Sequence, residues 1–276
     1  KKIKPGLSGF FYIMKIAVII IGRLEYDTQK EINFSLLKGC DIFIHSNKKY
    51  KLQAAELNPV NVILTENNQY DCLVETYKKV FKNEILKLRP ENRKPLKHSA
   101  IIKTQKGEKK KVFYDVHHFT DNFERIPQWI RFEESLHSFD LKDYDVIFKW
   151  RTDYSKVNGK HNKYIVNFIE NHQNLKNFLE NNFNSDYIYM YKDLFFGGTY
   201  EKMLKSSFYH RIKDFICTSN EDHEFSQNIL SKCDLSAGRF EWLQEEYIPF
   251  KSLFISETAL ILNCLQNNIP IKSFLK

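Results

Sequence analysis

The feature that most constrains the fold is a series of short apolar runs, each of strand length and each ending abruptly in polar residues. The first run, Lys15–Ile21, ends in Gly22 and Arg23. The most informative run, Tyr144–Arg151, ends in a cation that is followed two positions later by Asp153. Continuous apolar runs of this length are typical of strands that are buried in a parallel sheet.

Segments with helical periodicity separate these runs, which predicts an α/β fold with a doubly wound, mostly parallel sheet flanked by helices. Further strands are predicted at 41–46, 60–64, 187–191 and 269–273, and a strand or a turn at 193–198. Helices are predicted at 28–39, 71–88, 122–138, 163–183, 200–216 and 256–267. Residues 89–111 are rich in Pro and Lys and have weak periodicity, which predicts a long loop. No internal repeat or linker divides the chain, so a single domain is expected over residues 14–276. Because Met14 opens the first strand, residues 1–13 are expected to be upstream or artificially added sequence.

The net charge of the chain limits the kinds of molecule that are expected to bind it. A formal net charge of +8 attracts nucleotides, phospholipid head groups or nucleic acid. No nucleic-acid-binding motif occurs, so nucleic acid is not expected as a partner. The basic run Lys109–Lys111 is interpreted first as a solvated turn and second as a binding patch. Five cysteines without a CxxC pair are typical of a reduced, cytoplasmic protein, and no apolar run reaches the roughly 18 residues of a membrane span.

Polar residues at the ends of the predicted strands are the candidate site. They comprise Gly22, Arg23, His45, Ser46, Glu66, Arg151, Thr152 and Asp153. Ligands of open α/β sheets bind beyond the carboxyl ends of the strands, where these residues are expected to converge. The planar fork of Arg151 suits a phosphate. Asp153 can hold a sugar hydroxyl, coordinate a hard metal or accept a proton, and a simple ion pair at the strand end is the alternative.

The order of these motifs resembles bacterial surface-polysaccharide glycosyltransferases of the WavE-like, capsule and lipopolysaccharide type. The matching segments are Ile21-Gly22-Arg23, Phe43-Ile44-His45-Ser46, Tyr144-Asp145 through Trp150-Arg151-Thr152-Asp153, Asp193-Leu194-Phe195-Phe196-Gly197 and Ser256-Glu257-Thr258-Ala259-Leu260. The resemblance covers most of residues 14–273. Lys149 departs from it, because it stands where the pattern usually has an Arg.

The resemblance implies a GT-A-like fold, with a nucleotide-sugar half over about 14–155 and a smaller acceptor half over about 156–276. It implies sugar transfer from a nucleotide-sugar donor to an oligosaccharide or lipid-linked glycan acceptor, in the cytoplasm or at the inner face of the inner membrane. The residues implied in donor binding are Gly22, Arg23, His45, Arg151, Asp153 and Gly197, and those implied in acceptor binding are Gln128 and Gly198. Asp193 or Glu257 is favoured as the base that deprotonates the acceptor hydroxyl, with Asp153 as a third catalytic candidate.

A metal requirement does not follow from the sequence. No Asp-x-Asp motif ends a strand after the first half of the chain, and Arg151 with neighbouring cations can replace a metal ion at the leaving phosphate. Mg²⁺ or Mn²⁺ held by Asp153 is the alternative.

Each candidate residue also has a structural interpretation. Asp193 can cap a turn, Glu257 can stabilise the first turn of a helix, and His45 can be a hydrogen-bonded structural histidine. The pair Gly197-Gly198 indicates either a tight turn or a close approach of a sugar to the backbone. The competing functions are transfer of a phosphoryl-type substituent to a surface polysaccharide and non-catalytic binding of carbohydrate, anion or nucleic acid.

Overall fold

The computed structural model describes residues 13–24, 34–76, 79, 97–103, 109–115, 126–151, 171–191, 195–207, 227–233 and 256–274. Its strands are β1 (Ile16–Gly22), β2 (Asp41–Asn47), β3 (Asn61–Thr65), β4 (Lys97–Lys103), β5 (Lys109–Asp115), β6 (Val146–Arg151), β7 (Ile188–Tyr191), β8 (Phe195–Gly198) and β9 (Ile271–Ser273). Its α-helices are α1 (Lys51–Glu56), α2 (Ile126–Ser138), α3 (Leu175–Asn182), α4 (Tyr200–Ser206), α5 (Gln227–Lys232) and α6 (Ser256–Gln266). Short 3₁₀ turns span Phe34–Leu37 and Lys48–Tyr50.

Seven strands form one mixed sheet in the order β3-β2-β1-β6-β8-β7-β9. The pairs β1–β2, β2–β3, β1–β6 and β7–β9 are parallel, whereas β8 is antiparallel to β6 and β7. Six of the strands therefore share one direction, and this sheet with its helices is an α/β arrangement, as the sequence predicts. Strands from both the first and the second half of the chain belong to the sheet.

Helices cover both faces of the sheet because its central strands are apolar on both sides. Along β1, Ala17, Ile19 and Ile21 belong to one buried cluster, together with residues of α2, α4 and α6. The alternate residues Ile16, Val18 and Ile20 belong to a second cluster on the other face, together with residues of α1 and α3. A strand with both faces buried has to be apolar at every position, which explains why the run reads as continuous rather than alternating.

Two sequence-based predictions about local structure are corrected. Residues 89–111 are not a loop throughout, because β4 and β5 pair as an antiparallel hairpin from Lys97↔Asp115 to Lys103↔Lys109. The β-branched and aromatic residues of both arms favour strands, although the lysines had suggested a solvated turn. The described part of the predicted helix 28–39 is the 3₁₀ turn Phe34–Leu37.

Helix α2 begins close to Pro127, as predicted, since Pro is tolerated in the first turn of a helix. The short helices α1 and α5 were not predicted. Within the described residues, no helix combines the length and the apolar composition needed to cross a bilayer.

Candidate functional site

The candidate site lies where the strand order of the sheet reverses. The chain passes from β1 outward through β2 to β3, and it then returns to the other side of β1 as β6. Ile21 pairs with Arg151, so Gly22 and Arg151 end neighbouring strands that lie about 4.8 Å apart. Ligands of open α/β sheets bind in the crevice beyond such a reversal. The structure thus brings Gly22, Arg23 and Arg151 to one edge of the sheet, as the strand-end pattern predicts. We call this edge, at which the parallel strands end, the carboxyl edge.

Gly22 gives this edge an open backbone. Its φ of +110° lies in a region that residues with a side chain rarely adopt. A Cβ added at Gly22 would meet no atom of the described residues within 4 Å, so packing against them does not explain the glycine. The Ser46 hydroxyl donates a hydrogen bond of 2.6 Å to the Gly22 carbonyl oxygen and fixes this conformation. The following residue, Arg23, is exposed.

Strand β6 carries two cations on one face. Lys149 and Arg151 are two residues apart, so their side chains leave the same side of the sheet. Lys149 is completely buried, with its Nζ atom 4.5 Å from the ring centroid of Trp129 and 5.5 Å from that of Phe196. Arg151 is partly exposed at the end of the strand. Aromatic faces attract a cation, and they offset part of the cost of burying the Lys149 ammonium group below the edge.

A chain of hydrogen bonds ties this edge to helix α2. The Thr65 hydroxyl donates to the Ser46 carbonyl oxygen at 3.2 Å, and both Nε and Nη2 of Arg131 donate to Thr65 Oγ1 at 3.2 Å. The guanidinium also lies over the Tyr70 ring, 4.9 Å from its centroid. Thr65 is the last residue of β3, so this contact places the first turns of α2 at the carboxyl edge. The partial positive charge of a helix N-terminus adds to the cations there.

His45 lies in a buried, hydrogen-bonded layer between β2 and α2, and it is not exposed at the carboxyl edge. Its side chain has no exposed surface, and Nδ1 lies 3.0 Å from both the Arg131 carbonyl oxygen and Ser135 Oγ. Nε2 lies 3.4 Å from the Tyr70 hydroxyl, which donates a 2.5 Å hydrogen bond to Glu134. Burial and the charge of Arg131 lower the pKa of His45 to about 4, so the ring is neutral at pH 7. This geometry favours a structural histidine, since His45 is buried and its ring nitrogens face protein groups.

Tyr70 remains a hydrogen-bond donor in this layer. Burial and the hydrogen bond to Glu134 raise the pKa of Tyr70, so its hydroxyl stays protonated. The Tyr70 hydroxyl donates its hydrogen bond to Glu134, and the Arg131 carbonyl oxygen accepts from Nδ1 of His45. The network therefore fixes one tautomer of His45, with the proton on Nδ1. The network thus holds α2 against the ends of β2 and β3.

Gln128 lies near the start of α2, at the same edge. It is partly buried, and its amide nitrogen Nε2 has no hydrogen-bond partner among the described residues. A buried amide donor without a partner is costly, and a ligand oxygen can satisfy it. Acceptor binding by Gln128 therefore stays a prediction that its position favours.

Gly197 and Gly198 lie within the sheet rather than in a turn at the edge. They pair with Phe148 and Ile147 in β6, ahead of Arg151, and both are buried. A Cβ at Gly197 would lie 2.4 Å from Phe148 Cδ1 and 2.5 Å from the Ile147 carbonyl oxygen. Close packing of β8 on β6 thus accounts for Gly197, and the structure does not bring these two glycines together with Gly22 and Arg151.

The structure describes little of the three predicted catalytic carboxylates. Asp153 and Asp193 lie outside the described residues. Glu257 belongs to the first turn of α6, where its backbone is described but its side chain is not. The described residues contain no group of three or more His, Cys, Asp or Glu side chains that could hold a metal ion, and the proposed metal role of Asp153 stays a prediction.

The buried partners of this edge were missed by the sequence reasoning. Thr65, Arg131 and Ser135 were given no role in the sequence analysis. The available signal was spacing, because Arg131 and Ser135 lie four residues apart on one face of α2 and Thr65 ends an apolar run. Comparison of the chain with known protein families, with curated proteins and with solved structures finds no match.

Proposed function

We propose that the chain is a glycosyltransferase with a GT-A-like fold, which transfers a sugar from a nucleotide-sugar donor to a growing capsular polysaccharide or lipopolysaccharide. The observation that carries the proposal is the reversal of strand order between β1 and β6, with Gly22, Arg23 and Arg151 at its carboxyl edge. This is the position at which open α/β sheets bind nucleotides. The order of motifs along the chain supports a sugar nucleotide in particular.

The cations suit the charge that develops during sugar transfer. When the bond between the sugar and the nucleotide breaks, the leaving phosphate gains negative charge, and fixed cations stabilise it. Arg151 is placed to contact the phosphates, with Arg23 beside it. Lys149 is buried behind them and raises the local potential without touching the ligand. The partial positive charge at the N-terminus of α2 also stabilises the negative charge of the leaving phosphate.

The open backbone at Gly22 suits the donor as well. A residue with a side chain would be strained at the φ of Gly22, and its Cβ would have no atom of the described residues within 4 Å. A nucleotide can therefore approach the main chain closely at this point. In this proposal Gly22 receives the nucleotide and Arg151 receives the phosphates.

In this proposal, the base that deprotonates the acceptor hydroxyl is Asp193 or Glu257. Asp193 precedes Phe195, which pairs with Trp150 at the end of β6. Glu257 precedes Asn263 by about two helical turns in α6. Asn263 donates to the Ser207 carbonyl oxygen, and Ser207 in turn donates to Glu133 of α2. Asp153, two residues after Arg151, is proposed to hold the donor sugar or a metal ion.

A thermal-shift screen tests the proposal. The panel consists of UDP-, GDP-, CDP- and dTDP-sugars and CMP-activated sugars, each with and without Mn²⁺. A ligand at about 100 times its Kd stabilises the folded state by about 2.7 kcal/mol, which raises the melting temperature by about 5–10 °C for a chain of this size. A shift with one nucleotide class supports the proposal and identifies the donor. If no nucleotide sugar raises the melting temperature, the donor role of the edge is wrong, and phosphoryl-type transfer or non-catalytic binding becomes the better interpretation.

A further inference from the structure

A concave surface lies at the opposite end of the sheet from Gly22 and Arg151. This surface, which we call the distal groove, has a volume of about 580 Å³. Its floor includes Asp186 and Tyr187, which precede β7, and Ile269 and Pro270, which precede β9. β7 and β9 run in the same direction as β1 and β6, so the residues before them lie at the amino edge. The distal groove is therefore separate from the carboxyl edge.

Three lysines from two helices line the distal groove. Lys202 and Lys205 are three residues apart on α4, and Lys232 ends α5. Within the described part of the chain, none of these ammonium groups forms an ion pair or a side-chain hydrogen bond. Cations along a concave surface concentrate the field and raise the local concentration of anions.

The remaining polar groups of the distal groove suit hydroxyl-rich ligands. Asn228 and Asn268 are exposed and offer amide donors and acceptors, while Asp186 and Glu201 offer carboxylate acceptors. Sugar hydroxyls both donate and accept hydrogen bonds, so they match this mixture. A lone phosphate matches only the three lysines, and it leaves the amides and carboxylates of the groove unused. The volume lies within the range of known small-ligand sites.

We infer that the distal groove binds a segment of an acidic oligosaccharide, with its anionic groups at Lys202, Lys205 and Lys232 and its hydroxyls at the amides and carboxylates. Binding itself does not require transferase activity. In the proposed function, the oligosaccharide in the groove is a part of the acceptor glycan away from its reacting end. This second step of the inference rests on the proposed function.

Calorimetric titration with a hexamer of galacturonic acid tests this inference at low ionic strength. The groove variant combines Lys202→Gln, Lys205→Gln and Lys232→Gln. The control variant combines Lys38→Gln, Lys51→Gln and Lys142→Gln, which removes the same charge from exposed positions elsewhere. We expect saturable binding by the unmodified chain, at least tenfold weaker binding by the groove variant, and binding within twofold by the control. Neutral maltohexaose should bind at least tenfold more weakly than the acidic hexamer.

Three results would overturn the inference: no saturable binding by the unmodified chain, an equal loss in both variants, or equally tight binding of maltohexaose. The melting temperatures of both variants should stay within about 2 °C of the unmodified chain, because the altered lysines are surface groups that form no ion pair with the described residues. Arg151→Gln should leave hexamer binding unchanged. If nucleotide sugars fail to bind while the hexamer binds, the proposed function fails and the glycan site stands; the reverse result removes the glycan site alone.

Discussion

Replacing Gly197 by Ala separates a packing role for this glycine from a ligand-contacting role. The added Cβ would lie 2.4 Å from Phe148 Cδ1 and 2.5 Å from the Ile147 carbonyl oxygen. Neither atom can move away cheaply. The Phe148 ring is stacked on Phe195 with centroids 4.6 Å apart, and the carbonyl oxygen belongs to the backbone of β6. The strain therefore falls on the pairing of β6 with β8.

The magnitude follows from overpacking of a fully buried site. Phe148 has no exposed surface, and a forced shift in such a core costs about 1–3 kcal/mol. Because the closest contacts are far below van der Waals distance, we expect the upper part of this range, about 2–3 kcal/mol. For a chain of this size, that loss lowers the melting temperature by about 5–10 °C. Gly198→Ala is the matched control, since its Cβ would approach Ile188 Cγ1 only to 3.2 Å.

The assay is urea unfolding of both variants, followed by calorimetric titration with the nucleotide sugar selected by the thermal-shift screen. We expect Gly197→Ala to lose stability and to keep its donor affinity within about threefold under folding conditions. Gly198→Ala should change stability by less than about 1 kcal/mol, because its modest crowding is offset by lower entropy of the unfolded chain. A Gly197→Ala protein with unchanged stability and at least tenfold weaker donor binding would refute the packing account.

Three further predictions concern the layer behind the candidate site and one helix end. Because burial holds the pKa of His45 at about 4 against an ordinary 6.5, the unfolded chain binds a proton first as the pH falls. The stability that neutral His45 contributes is thus complete above pH 6.5 and is lost toward pH 4, by up to about 1.4 kcal/mol per pH unit. In the variant His45→Gln, the free energy of unfolding measured with urea should depend less steeply on pH in this window. An unchanged slope would contradict this prediction. Tyr70→Phe should cost about 1–2 kcal/mol, since it removes the hydroxyl that faces His45 and a carboxylate, whereas the more exposed Tyr144→Phe should cost less, and equal losses would count against the buried network. Asn174→Ala should cost about 1 kcal/mol by removing the side-chain cap that accepts from the backbone N–H of Asn177, and a loss below about 0.3 kcal/mol in thermal unfolding would argue against that cap.

The central strands of the sheet could be predicted because a strand that is buried on both faces has a continuous apolar sequence. The ends of the predicted strands 15–21, 41–46 and 60–64 differ from those of β1, β2 and β3 by at most one residue. The reversed direction of β8 was not predictable, since direction depends on which neighbour a strand pairs with and leaves no local pattern. The β4–β5 hairpin was missed because its lysines masked the strand-forming residues between them.

The candidate site was predictable where function leaves a polar residue at a strand end. Gly22, Arg23 and Arg151 are brought together, because parallel neighbours end at one edge. The roles of His45 and Gly197 were harder to assign, since a buried hydrogen-bonded histidine and a glycine packed under an aromatic ring leave the same sequence signal as ligand contacts. Only the partners of each residue, Arg131 and Ser135 for His45 and Phe148 for Gly197, distinguish the two cases.

The most direct test of the account is a calorimetric titration of the unmodified chain, Arg151→Gln and Lys142→Gln with UDP, GDP and CMP. Arg151 ends β6 at the carboxyl edge, whereas Lys142 is exposed before the start of the same strand. Loss of a charge-assisted hydrogen bond to phosphate costs about 1.5–3 kcal/mol. The account predicts that Arg151→Gln weakens binding of the preferred nucleotide at least tenfold and that Lys142→Gln changes it less than twofold. Equal affinities for all three proteins would show that the nucleotide does not bind at the junction of β1 and β6.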